Sequence, residues 1–371
     1  MFQHSRHLLI PFVRMVGTLR MLFACLLIGL FVDGSANAQD NNFLPTDQIE
    51  VRKSNTGLTN RLKGQIIDFN GEELQFRDSS DNLIHFFAAE DILQTRYQQS
   101  PEHQQGAELL EQRKYEEAER VLETALKVEP REWVRRELLA LQIQVALARY
   151  DYEKAGNRFI ALTSSDQQTR HFHLIPLNWR VPERASDEKP HSFPGEVSEA
   201  TAQRWLADSD PVAQLLGASW LLFREPDSTK LSRIFSQLSR NVNERISSPH
   251  QMRVWRQYVY EGRYSERELT HWESRIESLD QLDRSGPYYL LATAYAQKLE
   301  HDHAAVRWLW LKANQSPDHF LASDAQLRAA EALVQTGLTR QAVIVYRELA
   351  EAYPESPAGK LAIERLQPPS P

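Results

Sequence analysis

Two closely spaced histidine pairs are the residues best suited to bind a metal ion. They are His171 with His173 and His301 with His303, and His319 follows the second pair. Imidazole is the commonest protein ligand for zinc, so either pair would suit a metal-dependent hydrolase. On a helix, however, residues two apart point about 200° away from each other. His301 and His303 lie in a predicted interhelical turn, where we expect solvated histidines. No metal or cofactor is predicted.

Other catalytic motifs give little support for an enzyme. Ser186 and Lys189 have the Ser-x-x-Lys spacing of penicillin-recognising enzymes, but the partner motifs Ser-Asp-Asn and Lys-Thr-Gly are missing from the sequence. The sequence contains no Gly-rich phosphate loop, no His-Glu-x-x-His motif and no Gly-x-Ser-x-Gly elbow. A non-catalytic protein is the better prediction.

Tryptophans in the second half of the chain could stack on sugar rings. Helical spacing favours a core position for most of them, but Trp308 and Trp310 cannot both face one core, so one is a candidate for a binding surface. The tryptophans considered for this role are Trp205, Trp220, Trp255, Trp272, Trp308 and Trp310.

The first 38 residues have the features of a secretory signal peptide. Three arginines precede an uncharged apolar run from Met21 to Val32, and an Ala-x-Ala triplet ends at Ala38. The run is shorter than the roughly 20 residues that cross a bilayer. We expect export to the periplasm or the exterior, with cleavage after Ala38 and no membrane span afterwards. The alternatives are an uncleaved anchor and a lipid-modified Cys25.

Composition restricts the mature chain further. Cys25 is the only cysteine, so the mature protein would contain neither a disulfide nor a thiolate metal site. Loss of three arginines and Asp33 with the leader moves the formal charge from −7 to about −9. Because this charge repels phosphate backbones, nucleic acid is not expected as a partner.

A short segment ahead of the helices alternates apolar and polar residues. The predicted strands are Gln48 to Arg52, Arg61 to Phe69, Glu72 to Arg77, Leu83 to Phe87 and Asp91 to Thr95. Asn70-Gly71 predicts a hairpin turn, because both residues tolerate positive φ. The run from Gly64 to Leu74 resembles the second and third strands of an SH3-like or Sm-like barrel. The resemblance implies a small five-stranded β-barrel over residues 47–97. Its predicted core is Ile66, Phe69, Leu74, Phe76, Leu83, Ile84, Phe86 and Ile92.

Small residues recur at fixed intervals in the helical part. Between Ser100 and Pro130, two amphipathic helices are predicted, with Gly106 twelve residues before Ala118 and Ala125 seven residues after it. The same pattern recurs less regularly in three further segments. The small residues and prolines at the corresponding positions are Gly106, Ala118, Ala125, Pro130, Ala155, Ala305, Pro317, Ala330, Ala342 and Pro354.

This framework resembles the tetratricopeptide (TPR) repeat, a pair of antiparallel helices that stacks into a solenoid. The resemblance implies that small residues allow the two helices to approach closely, and that the first helix of each pair lines a groove for a protein or peptide partner. The carboxylate-clamp residues of one TPR subclass are missing, since His103 and Ala107 occupy the expected positions. The groove residues that the resemblance implies are His103, Leu110, Glu111, Gln144, Ala148, Leu327, Glu331 and Gln335.

The remaining segments complete a mainly α architecture. Prolines interrupt residues 163–199, which are predicted to be a linker or a long ordered loop. Further helices are predicted over 200–285, including a capping box at Ser265 to Glu268. The predicted organisation is a signal peptide (1–38), the β-barrel (47–97), TPR-like repeats (99–162), the Pro-rich segment (163–199), a helical repeat region (200–285) and C-terminal TPR-like repeats (286–367).

These patterns predict a TPR-like α-solenoid of antiparallel helix pairs preceded by a small barrel. The corresponding function is a non-catalytic exported scaffold that binds a protein or peptide of unknown identity. The alternative is a protein that binds cell-envelope glycan or peptidoglycan through the barrel and an exposed tryptophan. A metal-dependent hydrolase is a second alternative.

Overall fold

A computed structural model describes residues 46–52, 58–182, 195–238, 240, 254–314 and 316–367. The predicted signal peptide, Cys25 and the Ser186 to Lys189 motif lie outside these ranges. Among the described residues, no helix is both long enough and apolar enough to cross a bilayer. The chain is mainly α-helical, and a small antiparallel sheet precedes the helices.

The sheet contains five strands in the order β4-β3-β2-β1-β5, with every neighbouring pair antiparallel. They are β1 (Asp47–Arg52), β2 (Thr59–Phe69), β3 (Glu73–Asp78), β4 (Ile84–Ala88) and β5 (Ile92–Arg96). The alternating pattern thus predicted each strand to within two residues at either end.

The prediction of a closed barrel is wrong, because the sheet is open. Within the described part of the chain, β4 and β5 form its two edges and do not pair with each other. The predicted core is also only partly correct, since Leu83 and Phe86 are each 61% exposed. The buried face is completed instead by Trp133 and Val134 at the start of a helix, so closure is not needed to remove it from water.

The turn at Asn70 and Gly71 forms where predicted, but for a different reason. Neither residue has positive φ. The Asn70 side chain accepts hydrogen bonds from the backbone N–H groups of Glu72 (2.8 Å) and Glu73 (2.9 Å), which is an Asx-type turn. Glycine is required at 71 because a Cβ atom there would lie 1.5 Å from the carbonyl oxygen of Gln168.

The helices after the sheet pack mostly against their neighbours in sequence. They are α1 (Pro101–Glu111), α2 (Tyr115–Val128), α3 (Glu132–Ala148), α4 (Tyr152–Ser165), α5 (Glu199–Leu206), α6 (Pro211–Arg224), α7 (Thr229–Leu238), α8 (helical over 254–261), α9 (Glu266–Glu277), α10 (Ser285–Gln297), α11 (His301–Ala313), α12 (His319–Gln335), α13 (Thr339–Ala352) and α14 (Pro357–Leu366). The capping box predicted at Ser265 is present at the start of α9.

Four helix pairs share one turn geometry: α1–α2 and α3–α4, which we call the front repeats, and α10–α11 and α12–α13, which we call the back repeats. In each turn the second residue after the first helix has positive φ, and the next helix begins two residues later. These residues are Arg113 (61°), Tyr150 (63°), Leu299 (63°) and Gly337 (79°). The N–H of the following residue then bonds to the carbonyl five residues earlier, as in a Schellman motif.

The small residues lie where the paired helices meet. A Cβ atom on Gly106 would lie 2.5 Å from the side chain of Leu122 of α2, so any larger residue would force Leu122 to move. Five residues after each positive-φ residue stands a fully buried alanine. These alanines are Ala118, Ala155, Ala304 and Ala342.

The remaining predicted repeat positions are mostly consistent with this arrangement. In the third pair Ala304 takes the position that the sequence alignment gave to Ala305, although both are buried. Ala125 and Ala330 are buried as well. The prolines follow the second helices: Pro130 and Pro354 lie two residues beyond α2 and α13, and Pro317 precedes α12.

The Pro-rich segment is ordered in its first half. Ser165 still belongs to α4, and Phe172, Leu174 and Leu177 are buried in a core shared with α3 to α7. The backbone of Asn178 is held from two sides, by the hydroxyl of Ser219 (2.8 Å) and by the guanidinium of Arg256 (2.8 Å). Residues 172–179 therefore form a packed segment between the helices, with a 3₁₀ turn at 172–174 and irregular backbone after it. Residues 183–194 lie outside the described ranges.

Candidate functional site

The predicted groove residues are divided between surface and core. Glu111, Glu331 and Gln335 are exposed, and Leu110 and Gln144 are half-buried. His103, Ala148 and Leu327 are buried. Within the described chain, no hydrogen bond, ion pair or ring contact joins any two of the eight. The exposed members are thus the ones that a partner could contact without rearrangement.

His103 is part of the packing between the sheet and α1. Its ring is 3% exposed and lies 6.0 Å from the ring of Tyr97 in an edge-on contact. Desolvation by burial lowers its pKa, although Glu137 and Glu129 oppose this. The neutral imidazole is therefore favoured in this apolar position.

The front and back repeats contact each other through aromatic rings. His319, the first residue of α12, lies between Tyr115 of α2 (5.7 Å between ring centroids) and Tyr353 after α13 (5.4 Å). Beside it, Tyr150 contacts Phe320 edge-on at 6.3 Å. Residues about 200 positions apart in sequence thus form one cluster, which we call the junction.

Hydrogen bonds reinforce the junction. The Tyr152 hydroxyl donates to Asp318 Oδ1 (2.6 Å), and Arg113 Nη1 donates to the carbonyl of Ala352 (2.8 Å). Asp318 also caps α12 by accepting from the N–H of Leu321 (3.0 Å). Helices α3 and α12, each the first helix of its pair, also contact each other. The two sets of repeats therefore do not form an open groove along their whole length.

Burial shifts the titration of the junction. It lowers the pKa of His319 to about 4, helped by the positive charge of Arg113, and it raises the pKa of Tyr150 to about 12. Burial also raises the pKa of Asp318, against the hydrogen bonds that it accepts. At neutral pH the imidazole of His319 is therefore uncharged.

A cavity of about 320 Å³ lies next to the junction, and we call it the central pocket. Four separate segments line it: the end of α3, residues 172–179, residues 278–287 and residues 316–321. Its apolar wall consists of Leu147, Phe172, Ile175, Trp179, Leu279, Leu282 and Leu321. A volume near the lower end of the range for small-molecule sites, about 300 to 1,000 Å³, suits a side chain or a small ligand.

Trp179 is held in this wall by α10. A Cβ atom on Gly286 would lie 2.0 Å from Cε2 of the indole, so the ring sits directly against the first turn of α10. Glycine at 286 is what allows this approach. The indole therefore forms part of a preformed wall.

The polar lining of the central pocket contains three carboxylates and one imidazole. Asp280, Asp283 and Asp318 line it together with His173, and its described lining includes neither lysine nor arginine. The nearest basic residue in sequence, Arg284, donates instead to the carbonyls of Glu277 and Leu279, both at 2.7 Å. Ser316 also lines the pocket, and its buried hydroxyl has no hydrogen-bond partner in the described part of the structure.

The two histidines of the first pair have different surroundings: His173 lines the pocket, and His171 belongs to a carboxylate network. His171 Nε2 lies 2.9 Å from Glu137 Oε1, and Arg170 lies 2.6 Å from the other oxygen. Although burial opposes it, these two partners lower the pKa of Glu137 to about 2. The ring of His173 is 6.4 Å from that of His171. Within the described ranges, no three His, Cys, Asp or Glu side chains are grouped so as to hold a metal ion.

The second histidine pair is helical. His301 and His303 belong to the first turn of α11 and not to an interhelical turn, so the helix directs them to different sides. The ring of His303 lies 5.2 Å from that of Tyr295.

The tryptophans belong mainly to the core. Trp205, Trp220, Trp255, Trp272 and Trp308 are 3 to 7% exposed. Trp310 is half-buried and lies 4.7 Å from the ring of Tyr288. Contrary to the expectation from their spacing, Trp308 and Trp310 both pack against the same hydrophobic core, and neither forms an open stacking platform.

The acidic residues and the serine of the central pocket were not predicted from the sequence. They come from segments that are far apart along the chain, so no local spacing connects them. One signal was available: Asp318 stands directly before an apolar helix, as an N-cap residue does. Comparison with protein-family models, with curated protein sequences and with solved structures gives no match.

Proposed function

We propose that this chain is a non-catalytic, exported scaffold that binds a protein or peptide through its helical repeats. The observation that carries the proposal is the shared turn geometry of the four helix pairs, with a buried alanine at the same place in each. A recurring helix pair with small contact residues is typical of TPR-like solenoids, whose role is recognition of other chains.

The proposal extends to the N-terminal part of the chain. An SH3-like or Sm-like relationship for the sheet would agree with five short antiparallel strands, of which β1 to β4 form a meander and β5 pairs with β1 at the edge of the open sheet. Export follows from the leader-like first 38 residues. N-terminal sequencing of the protein from the envelope fraction should begin at Gln39.

A partner would contact the exposed part of the first helices and the central pocket. Glu331 and Gln335 of α12 and Glu111 of α1 are exposed, and the pocket lies at the other end of α12. A partner that contacts both Glu111 and α12 would bury surface from both sets of repeats.

The glycan-binding alternative has less support. It required an exposed tryptophan, and the tryptophans are buried or half-buried. Phe86 on β4 is exposed, but a single ring on an edge strand is common on protein surfaces.

Site-specific photo-cross-linking in the native envelope tests the proposal. A photoreactive amino acid replaces Glu331 in the full chain with its leader, and the matched control replaces Glu351, which is exposed on the second helix α13. We expect position 331 to give a discrete protein adduct that excess mature wild-type chain abolishes. An absence of adducts at 331, or identical adducts at both positions, would refute a partner-binding face on α12.

A further inference from the structure

We propose that the outer face of the sheet binds an acidic segment of a partner protein. The face that we call outer is the one opposite to Trp133 and Val134, which cover the buried face of the sheet. The inference goes beyond the proposed function, because it adds a binding surface that lies outside the helical repeats. Three features of the outer face support it: its charge, its amide groups and its apolar border.

The strand register places basic side chains on the outer face. Because side chains alternate along a strand, burial of Ile49 and Val51 puts Gln48, Glu50 and Arg52 of β1 on the outer face. Residues that pair across neighbouring strands share a face, and this assigns the remaining positions. The basic residues of the outer face are Arg52, Arg61, Lys63, Arg77 and Arg96, and all of them are exposed.

Two acidic residues share this face and do not balance its charge. Glu50 is paired with Arg61 at 3.2 Å, and Glu73 lies at the start of β3. Asp68, near the end of β2, is bound to Arg136 of α3. The outer face therefore has a net positive charge, in a chain whose formal charge is −7.

Three of the basic residues lie close together and have no carboxylate partner. Lys63 pairs with Gln48 of β1, and Gln48 pairs with Arg96 of β5, so two strand spacings of about 4.8 Å separate the backbones of Lys63 and Arg96. Arg77 lies diagonally from Lys63, because it pairs with Gln65, two residues further along β2. In the described part of the chain, none of the three takes part in an ion pair. An acidic group above Lys63 is therefore within reach of cations from three strands.

Glutamine side chains lie between the basic residues. Oε1 of Gln65 accepts a hydrogen bond from Arg77 Nη1, and Oε1 of Gln94 accepts one from Arg96 Nη2, both at 3.4 Å. Each bond holds a guanidinium beside an amide that carries two further N–H donors. An ionised carboxylate only accepts hydrogen bonds, and the planar fork of arginine matches its two oxygens. The outer face thus offers both kinds of donor to an acidic side chain.

An apolar border continues the outer face on β4. In the register of β3 and β4, Ile84 pairs with Arg77 and Phe86 pairs with Gln75. Ile84 and Phe86 are 46% and 61% exposed. Apolar residues of a partner can therefore pack next to the charges, and arginine and aromatic residues are both enriched in protein interfaces.

The total charge of the chain favours an acidic protein segment over a phosphate polymer. At physiological salt the Debye length is about 8 Å, so a short acidic segment senses mainly the outer face. A long polyanion extends beyond this face and is repelled by a chain of formal charge −7. Acidic residues on one side of an extended segment recur about every 7 Å, which is also the spacing of Arg61 and Lys63 along β2.

Peptide binding to the mature chain tests the inference. The probe is a fluorescein-labelled Gly-Ser dodecapeptide with three glutamates at alternate positions, and the matched probe carries glutamines there. At low ionic strength, fluorescence anisotropy should show roughly tenfold tighter binding of the glutamate peptide, and added salt should reduce this preference. Equal affinity of the two peptides, or binding of neither, would overturn the inference.

Paired variants localise the site. Lys63→Gln with Arg77→Gln should weaken binding of the glutamate peptide about fivefold and leave the glutamine peptide unchanged. The matched control, Arg340→Gln with Arg347→Gln at exposed positions of α13, makes the same change in net charge and should alter neither affinity. Equal effects of the two double variants would overturn the assignment to the sheet.

Glu50→Gln provides a test that a misfolded variant cannot imitate. It removes the carboxylate that is paired with Arg61, so it should tighten binding of the glutamate peptide about two- to threefold. Unchanged or weaker binding in this variant would contradict recognition of acidic residues by the outer face.

Two further measurements separate the possible partners and the two proposals. Fluorescein-labelled dodecathymidylate that binds more tightly than the glutamate peptide would overturn the assignment to a protein segment in favour of a phosphate polymer. If the adduct at 331 forms but the two peptides bind equally, the sheet inference fails and the scaffold stands. If the glutamate preference is found but no adduct forms at 331, the scaffold proposal fails and the sheet site stands.

Discussion

Replacing His319 by phenylalanine should make the protein less sensitive to acid. The ring of His319 lies between Tyr115 and Tyr353 at the junction, and the charge of Arg113 is close. A phenylalanine ring can keep both edge-on contacts but cannot be protonated. The variant therefore isolates the contribution of one buried imidazole to the pH dependence of folding.

The direction and size of this effect on the free energy of unfolding follow from the pKa of His319, which falls from 6.5 to about 4 on folding. The folded state thus binds fewer protons than the unfolded state between these values. The stabilisation is complete above pH 6.5 and is lost as the pH falls towards 4. At about 1.4 kcal/mol per pH unit the shift corresponds to roughly 3 kcal/mol, and partial exposure of the ring reduces this to about 2 kcal/mol.

Urea unfolding of the mature chain, followed by circular dichroism from pH 7 to pH 4, measures the effect. The free energy of unfolding of His319→Phe relative to wild type should rise by about 2 kcal/mol over this range. His271→Phe, at an exposed position on α9, should leave the pH dependence as in wild type. Parallel pH profiles for wild type and His319→Phe would refute the buried, neutral state of His319 and with it the packed junction.

Three further predictions concern the repeats and the sheet. Ala118→Leu and Ala342→Leu should each lower the free energy of unfolding by about 1 to 3 kcal/mol through overpacking, whereas Glu117→Leu at the surface should cost much less; equal effects in thermal unfolding would contradict the helix register. Glu119→Gln should destabilise by about 2 kcal/mol in urea unfolding, because it removes the buried carboxylate that Arg149, Lys154 and Arg158 share and leaves them only the more exposed Glu116 and Glu123; a neutral result would contradict the ion cluster. Gly71→Ala should displace the turn from Gln168 and expose the β2–β3 amides to hydrogen exchange, and unchanged protection would argue against that close approach.

Local patterns predicted local structure well. The strands of the sheet and the capping box of α9 follow from periodicity and from one hydrogen-bonding motif, both of which operate within a few residues. The helix pairs were found because a small side chain is needed wherever two helices cross closely, as Gly106 and Ala118 illustrate. These requirements arise between residues that are close in sequence, so local sequence patterns predict them.

Packing between residues far apart in sequence could not be predicted from local patterns. Glu119 follows the buried Ala118 and would be expected at the surface, yet it is buried among Arg149, Lys154 and Arg158 from the next helix pair. The open sheet depends on Trp133, which lies in a helix far along the chain. Likewise, nothing near Ser316 in sequence indicates that it would share a cavity with residues 172–179.

Amide hydrogen exchange on the mature chain, free and in the complex isolated through the adduct at position 331, tests the central claim most directly. The account predicts added protection along α12 and at residues 172–179 and 278–287 around the central pocket, with none on the outer helix α13. Protection confined to strands β1 to β5, or unchanged exchange throughout α12 and the pocket, would contradict partner binding by the helical repeats.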